Sequence, residues 1–236
     1  MSREFPYLDE HASFSFPAVE DATCEGIVAA GGNLSPGMLL SAYRQGIFPW
    51  YSDGEPILWW SPDPRFVLFP GEFHVSTSMK RLRKRGAFSV TFDTAFRETI
   101  MACRETPRLG QPGTWITNEI VEGYVRLHEL GYAHSVETRR EGRLVGGLYG
   151  VSLGAIFFGE SMFSHEANAS KYALVELVEH LVGMGCELID CQAYTPHLER
   201  FGAREIPRAE FLTLLKGLLK RETLRGSWQG RAGSRC

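Results

Sequence analysis

Three side chains in this sequence join a reactive type to an apolar strand. They are Glu160 in Gly159-Glu160-Ser161-Met162-Phe163-Ser164, and Asp190 and Gln192 in Leu188-Ile189-Asp190-Cys191-Gln192. Side chains alternate across a strand, so Asp190 and Gln192 are expected on one face and Cys191 on the other. A carboxylate at the end of an apolar strand is costly to bury unless it is paired or used. Two acidic groups at neighbouring strand ends would make a cation-attracting cleft. The competing readings are an Asp that caps the next turn, which the five strand residues alone favour, and two solvated strand ends, which weigh evenly against the cleft. Ser164 beside His165 does not suggest a nucleophile, because triads are assembled from distant parts of a chain. Cys191 reads as a small core residue.

Aromatic and basic residues form a second set. Trp50 and Trp115 lie in loops outside any apolar period. Loop tryptophans can stack nucleobases, at about 1–3 kcal/mol per base; they can equally be packing anchors. Lys80, Arg81, Arg83, Lys84 and Arg85 crowd one short segment. Such a run is either a solvated face or a polyanion site, and its density in a chain of net charge −3 leans toward the second.

The elements that must position these residues follow from periodicity and punctuation. Ser35-Pro36 opens a helix with Met38, Leu39, Leu40 and Tyr43 on its apolar face, and Gly46 ends it. Pro62 and Pro64 flank Asp63 and make a natural joint. The boundary is set there, giving a small N-terminal domain over 1–63 and a larger domain over 64–236. In the second domain the spacing predicts a short helix over 76–85 and a strand over 88–92. Asp93 is expected to cap a helix ending near 103, with a loop over 104–113. Thr117 caps a helix to about 130. Strands over 133–139, 144–149 and 155–160 make an antiparallel meander. A loop over 161–170 leads to a helix ending near 185 and then to the strand at 188–192, whose crossover implies parallel pairing. A last helix covers 207–221, and the Gly/Arg/Ser-rich tail from 226 is expected to be mobile. The result is an α+β fold with a mixed sheet, similar in order to the acyl-CoA N-acyltransferase (GNAT-like) fold. Fold likeness alone assigns no function.

Composition narrows the class. An apolar fraction of 44% and a charged fraction of 22% are ordinary for a globular protein. The five cysteines form no C-x-x-C pair and read as free thiols in a reducing compartment. The seven histidines show no zinc spacing, so no metal is expected. No signal-peptide core or long apolar run is present, which implies a cytoplasmic protein with no membrane partner.

Taken together, the motifs resemble the leucyl/phenylalanyl-tRNA–protein transferase family. The matching stretches include Gly31-Gly32-Asn33-Leu34-Ser35-Pro36, Gln45-Gly46-Ile47-Phe48-Pro49-Trp50, Leu58-Trp59-Trp60-Ser61-Pro62-Asp63-Pro64-Arg65, Gly113-Thr114-Trp115-Ile116-Thr117, Gly159-Glu160-Ser161-Met162-Phe163-Ser164 and Ile189-Asp190-Cys191-Gln192. Arg200 departs from the small residue usual in the family at its position. The resemblance implies a monomeric cytoplasmic enzyme without a cofactor. It would move Leu, Phe or, less readily, Met from aminoacyl-tRNA to proteins with N-terminal Arg or Lys, marking them for degradation through the N-degron pathway. It implies Asp190 and Gln192 as the catalytic pair, with Asp190 polarising Gln192, and Leu148, Phe157, Met162, Leu174 and Ile189 as the aminoacyl side-chain pocket. Glu160 is the candidate site for the acceptor's cationic side chain. Trp50 and Trp115 are the candidates for clamping the 3′ adenosine, and Lys80, Arg81, Arg83, Lys84 and Arg85 for holding the tRNA backbone. The rival classes are an acyl-CoA-dependent N-acetyltransferase, which the lack of a Gly-rich pyrophosphate loop after Glu160 disfavours, and a non-catalytic RNA-binding module, which leaves Glu160, Asp190 and Gln192 idle. On this reading Asp190→Ala costs at least tenfold in kcat with near-normal folding.

Overall fold

A computed structural model describes residues 5–107 and 114–230. Residues 108–113 of the expected loop and 231–236 of the expected tail, with Cys236, lie outside the described residues. Before the Pro62/Pro64 joint, β1 (Ile27–Ala30), α1 (Pro36–Arg44), β2 (Phe48–Pro49) and β3 (Leu58–Trp60) form a small layer. Its three-stranded antiparallel sheet has the order β1-β3-β2. Proline sits in the first turn of α1, and Gly46 takes φ +75° just beyond its end. Ser35 does not cap α1 with its side chain; its Oγ accepts the Leu8 N–H at 3.1 Å and ties the N-terminal segment down.

After the joint come β4 (Arg65–Leu68), α2 (Thr77–Lys84), β5 (Ser89–Phe92), α3 (Phe96–Glu105), α4 (Asn118–Glu129), β6 (Ala133–Arg140), β7 (Arg143–Leu153), β8 (Ile156–Ser164), α5 (Ala169–Gly183), β9 (Leu188–Gln192), α6 (Pro196–Glu199), β10 (Arg204–Ile206) and α7 (Arg208–Leu218). The large sheet is mixed, with seven strands in the order β10-β4-β9-β8-β7-β6-β5. Only the β8–β9 pair is parallel, as the crossover through α5 requires. The β4 and β10 strands were not expected. Each is three or four residues long and carries too few positions for an alternation to show.

The sheet separates two apolar clusters. On one face Ile156, Phe158 and Phe163 of β8 join Tyr43 of α1, Ile100 of α3, Tyr124 of α4 and Phe211 of α7. On the other, Leu148, Phe157 and Ile189 join Leu174, Leu177 and Leu181 of α5. The small N-terminal layer therefore shares its core with the first face of the large sheet.

Three local expectations are corrected. Asp93 does not cap α3: it sits at φ +56°, and its carboxylate accepts the backbone N–H groups of Ser135 at 2.9 Å and Trp228 at 2.7 Å. The orphan N–H groups before α3 go to Glu137 of β6, which accepts from Thr94 at 3.3 Å and Ala95 at 3.4 Å. The strand expected to stop at Glu160 runs on to Ser164. The tail expected to be mobile is anchored at Trp228, which is fully buried; a glycine- and serine-rich composition hides the one large apolar residue that docks.

Candidate active site

The β8 and β9 strands pair at Ile156↔Leu188, Phe157↔Ile189 and Phe158↔Asp190, and the parallel ladder stops there. Both strands then bulge. On β8, Tyr149 pairs with Ser161 while the next residue of β7, Gly150, pairs with Gly159, so Glu160 is the unpaired extra residue. On β9, Phe66 of β4 pairs with Gln192 while Val67 pairs with Asp190, which makes Cys191 the extra one. A bulge redirects a side chain and bends its strand. The first bulge explains why Phe157 and Met162, an odd number of positions apart, both meet the α5-side cluster. It also demands close backbone approach: a Cβ on Gly150 would collide with the Phe158 carbonyl oxygen.

Asp190 is buried and pairs with Arg65, also buried, through Nε–Oδ1 at 2.8 Å and Nη2–Oδ2 at 2.7 Å. The guanidinium lies between the Phe48 and Phe211 rings, 4.8 and 4.6 Å from their centroids. Asp190 Oδ1 also accepts the backbone N–H of Gln192 at 2.9 Å, which holds Gln192 at φ +64°. The expected shared face of Asp190 and Gln192 is thus not simple alternation. Cys191 packs on the opposite cluster as expected, and burial pushes its thiol pKa up. The contact by which Asp190 reaches Gln192 is with its backbone N–H. The cation-attracting pair of carboxylates is reduced to one, because Arg65 neutralises Asp190.

Gln192 Nε2 donates to Glu160 Oε1 at 2.8 Å, bridging the two diverging strands. Tyr43 of α1 donates to Oε1 at 2.7 Å and Tyr124 of α4 to Oε2 at 3.0 Å. The two phenols also hydrogen-bond to each other, which closes a ring of three contacts. Such a ring has a proton for every contact when Glu160 is a neutral acid, and one too few when it is a carboxylate. Glu160 as a residue is partly exposed, but its carboxyl group is enclosed by these partners. Burial raises its pKa from 4.5 to about 7, against the pull of the Tyr43, Tyr124 and Gln192 donors. Burial, with Glu160 nearby, pushes both phenols well above 10, so they stay neutral donors.

The remaining expected residues divide. Leu148, Phe157, Leu174 and Ile189 are buried together, with partly buried Met162, on the α5 face of the sheet. Glu160 and Asp190 face the other way, toward α1, α4 and α7, so the two sets meet only where β8 and β9 part. Trp50 is exposed, with its ring 5.4 Å from that of Trp60. Trp115 is partly buried against the first-face cluster. Their segments are tied together, since the Tyr51 hydroxyl bonds Thr117 Oγ1 at 3.0 Å. Thr117 caps α4 and accepts the Ile120 N–H at 3.2 Å, and Tyr124 lies seven residues along, about 10 Å at the usual helical rise. One helix therefore runs from the tryptophan segments to the carboxyl of Glu160.

The basic run forms α2, with Ser76 accepting the Met79 N–H. Lys80, Arg81, Lys84 and Arg85 are exposed. Arg83 is not available in the same way, because it pairs with Glu176 at 2.9 Å and with Glu179, both on α5. Sequence reasoning missed Arg65, Tyr43 and Tyr124. Arg65 read as the end of the proline joint and Tyr43 as one more apolar face residue. Among the described residues no three His, Cys, Asp or Glu side chains gather as a metal site, and no helix is long and apolar enough to cross a membrane.

Comparison with known proteins is extensive. The sequence model of the leucyl/phenylalanyl-tRNA protein transferase family matches residues 67–216, and that of its N-terminal domain matches 32–63. A leucyl/phenylalanyl-tRNA–protein transferase of Myxococcus xanthus is 56% identical over 93% of this chain and 94% of its own. Those of Syntrophus aciditrophicus and Anaeromyxobacter sp. (strain K) are 58% and 57% identical, over 90% and 96% of this chain and 89% and 97% of theirs.

Two stability predictions follow from the geometry. Asp190→Ala leaves the Arg65 guanidinium buried without its partner, so it should destabilise the fold by about 3–5 kcal/mol in urea titrations. This revises the near-normal folding expected from sequence, and a loss under about 1 kcal/mol would refute it. Folded Glu160 keeps a proton that the unfolded chain releases near pH 4.5, so its contribution to stability falls as pH rises toward about 7 and levels off above. Glu160→Gln should remove that slope and gain on the wild type by up to about 3 kcal/mol between pH 4.5 and 8. Parallel pH profiles for the two proteins would show that the carboxyl is not held neutral.

Proposed function

The chain belongs to the leucyl/phenylalanyl-tRNA–protein transferase family and is an aminoacyltransferase, and from that premise we propose that it moves Leu, Phe and, less readily, Met from tRNA to the N-terminal α-amine of proteins beginning with Arg or Lys, marking them for degradation. The observation that carries the reading is the Gln192–Glu160 bridge across the gap where the two parallel strands part. The gap joins the buried apolar cluster of Leu148, Phe157, Leu174 and Ile189 on one face of the sheet to a polar, partly ionisable group on the other. An aminoacyl ester with an apolar side chain and an incoming cationic N-terminus needs such a pair of surroundings.

In the reaction the α-amine nitrogen attacks the ester carbonyl, the C–N bond forms, and the C–O bond to the terminal ribose breaks. One proton passes from nitrogen to the leaving oxygen. The amine has a reference pKa of about 7.7–8.0, so roughly a tenth is neutral at pH 7, and the ester is already activated. No covalent intermediate is required, and positioning can supply much of the rate. With Gln192 Nε2 committed to Glu160, its amide oxygen is the group left to accept from the amine and orient it. Asp190 is a positioning residue, holding Gln192 through its backbone N–H while Arg65 holds Asp190. Ionised Glu160 provides the negative site for the acceptor's Arg or Lys. Leu148, Phe157, Met162, Leu174 and Ile189 take the aminoacyl side chain, and selection there is by shape. Trp50 and Trp115 clamp the terminal adenosine, supported by their tied segments. Lys80, Arg81, Lys84 and Arg85 hold the tRNA backbone.

The sheet order, with one parallel pair separating at its carboxyl ends, supports a GNAT-like catalytic layer over 64–236, and the separate three-stranded sheet supports a small N-terminal domain over 1–63. The aminoacyl-tRNA substrate argues for action in the cytoplasm.

Labelled Leu-tRNA offered to an Arg-initiated peptide should label it, and the same peptide acetylated at its N-terminus should stay unlabelled; label on both would refute α-amine transfer. In this assay Glu160→Gln should raise the acceptor KM more than the tRNA KM, and the reverse order would remove Glu160 from acceptor binding. Four cations neutralising phosphates imply roughly a hundredfold loss of tRNA affinity between 50 and 200 mM salt. A flat response would take α2 out of the tRNA site.

A further inference from the structure

Trp228 lies beyond α7, in a segment without regular structure, yet none of it is exposed. Its backbone N–H donates to Asp93 Oδ2 at 2.7 Å, and His134 Nδ1 lies 2.9 Å from the same oxygen. The next residue, Gln229, donates from Nε2 to the Asp93 carbonyl at 2.7 Å. The indole stacks flat on the His134 ring, with centroids 3.8 Å apart and an interplanar angle of 3°. Its remaining ring neighbours are Phe92 at 6.4 Å, His180 of α5 at 4.9 Å and Phe157 of β8 at 6.0 Å. Phe157 is one of the pocket residues, so the C-terminal segment lays an aromatic plate directly behind that pocket.

We propose that Trp228 is a specificity-determining residue: it forms the floor of the aminoacyl side-chain pocket, backing Phe157 and setting how deep a side chain can enter. The inference rests on the pocket described under the proposed function and deepens it. The way the indole is held separates a floor from ordinary core filling. The indole is fully buried and lies flat on the His134 ring, so its plane is fixed. The floor is also held independently of the pocket walls. Leu148, Phe157 and Ile189 are fixed by strand pairing, whereas Trp228 is fixed by a buried carboxylate and a stacked imidazole. Its height can therefore differ while the strands stay in register.

Leucine and phenylalanine differ mainly in reach, and one methylene in an apolar pocket is worth about 10–200-fold in discrimination. A smaller side chain at 228 lengthens the pocket and favours the longer substrate. The test uses the full chain and its Trp228→Phe and Trp228→Leu variants, with kcat/KM for Leu-, Phe- and Met-tRNA measured against one Arg-initiated peptide. The Phe-to-Leu ratio of kcat/KM should rise at least tenfold in Trp228→Leu and less in Trp228→Phe, while the acceptor KM stays in place. A purely structural role predicts a parallel fall for all three donors, and that result, or an unchanged ratio, overturns the proposal. If Trp228→Leu fails to fold, Trp228→Phe decides, because it keeps an aromatic plate and deletes only the second ring; its ratio must then rise by more than experimental error. A wild type that transfers neither Leu nor Phe would overturn both this reading and the proposed function. Normal wild-type transfer with unchanged ratios in the variants overturns this one alone.

Discussion

The ion pair between Arg65 and Asp190 ties together the parts of the molecule on which the candidate site depends. Both side chains are fully removed from solvent, so each ion's desolvation must be offset by its partner and by good geometry. Two parallel contacts and the flanking Phe48 and Phe211 rings supply that geometry. Those rings come from β2 in the small layer and α7 near the chain's end. The pair thus joins β4 and β9 in the sheet and locks both to elements on either side in sequence. Through Asp190 Oδ1 it fixes the left-handed backbone of Gln192, and through the Gln192 side chain it reaches Glu160, Tyr43 and Tyr124.

Glu160 stands at the other end of this network in a different electrostatic state. Asp190 has a full counter-charge at hydrogen-bonding distance. Glu160 has three neutral donors, which compensate burial only in part and leave its pKa near 7. Two acidic residues on neighbouring strands thus take opposite duties. One is bound to Arg65 as a structural anchor, and the other can change charge within the physiological range. The two bulges make the arrangement possible, because a regular β8 and β9 would keep pairing and leave no gap for the side chains to bridge.

The sheet also separates two chemically different surroundings. Its α5 face is apolar and takes up Trp228 of the C-terminal segment, which docks through Asp93 and His134. Its other face carries the charged and phenolic groups and, along α4, the connection to Trp50 and Trp115. The basic helix α2 is attached to α5 by Arg83 and so takes its position from the same helix that packs on the apolar face.

Much of this was legible along the chain. The alternation of β6 to β8, the apolar stripe of α5, the Thr117 cap and the parallel crossover all rest on local periodicity, which a linear sequence carries directly. The ordered set of motifs from Gly31 to Gln192 was enough to identify the family and to single out Gln192. What sequence could not carry was the identity of partners. Arg65 and Asp190 are 125 positions apart, Tyr43 and Glu160 are 117 apart, and Asp93 and Trp228 are 135 apart. No periodicity links such positions. An arginine beside prolines, a tyrosine in an apolar stripe and a tryptophan in a glycine-rich tail each satisfy a simpler local account. The sequence by itself determined which elements form and which residue types they offer. The tertiary structure decided which carboxyl is neutralised, which is held near neutrality and which tail residue is core, because charge state and burial depend on the neighbours that folding supplies.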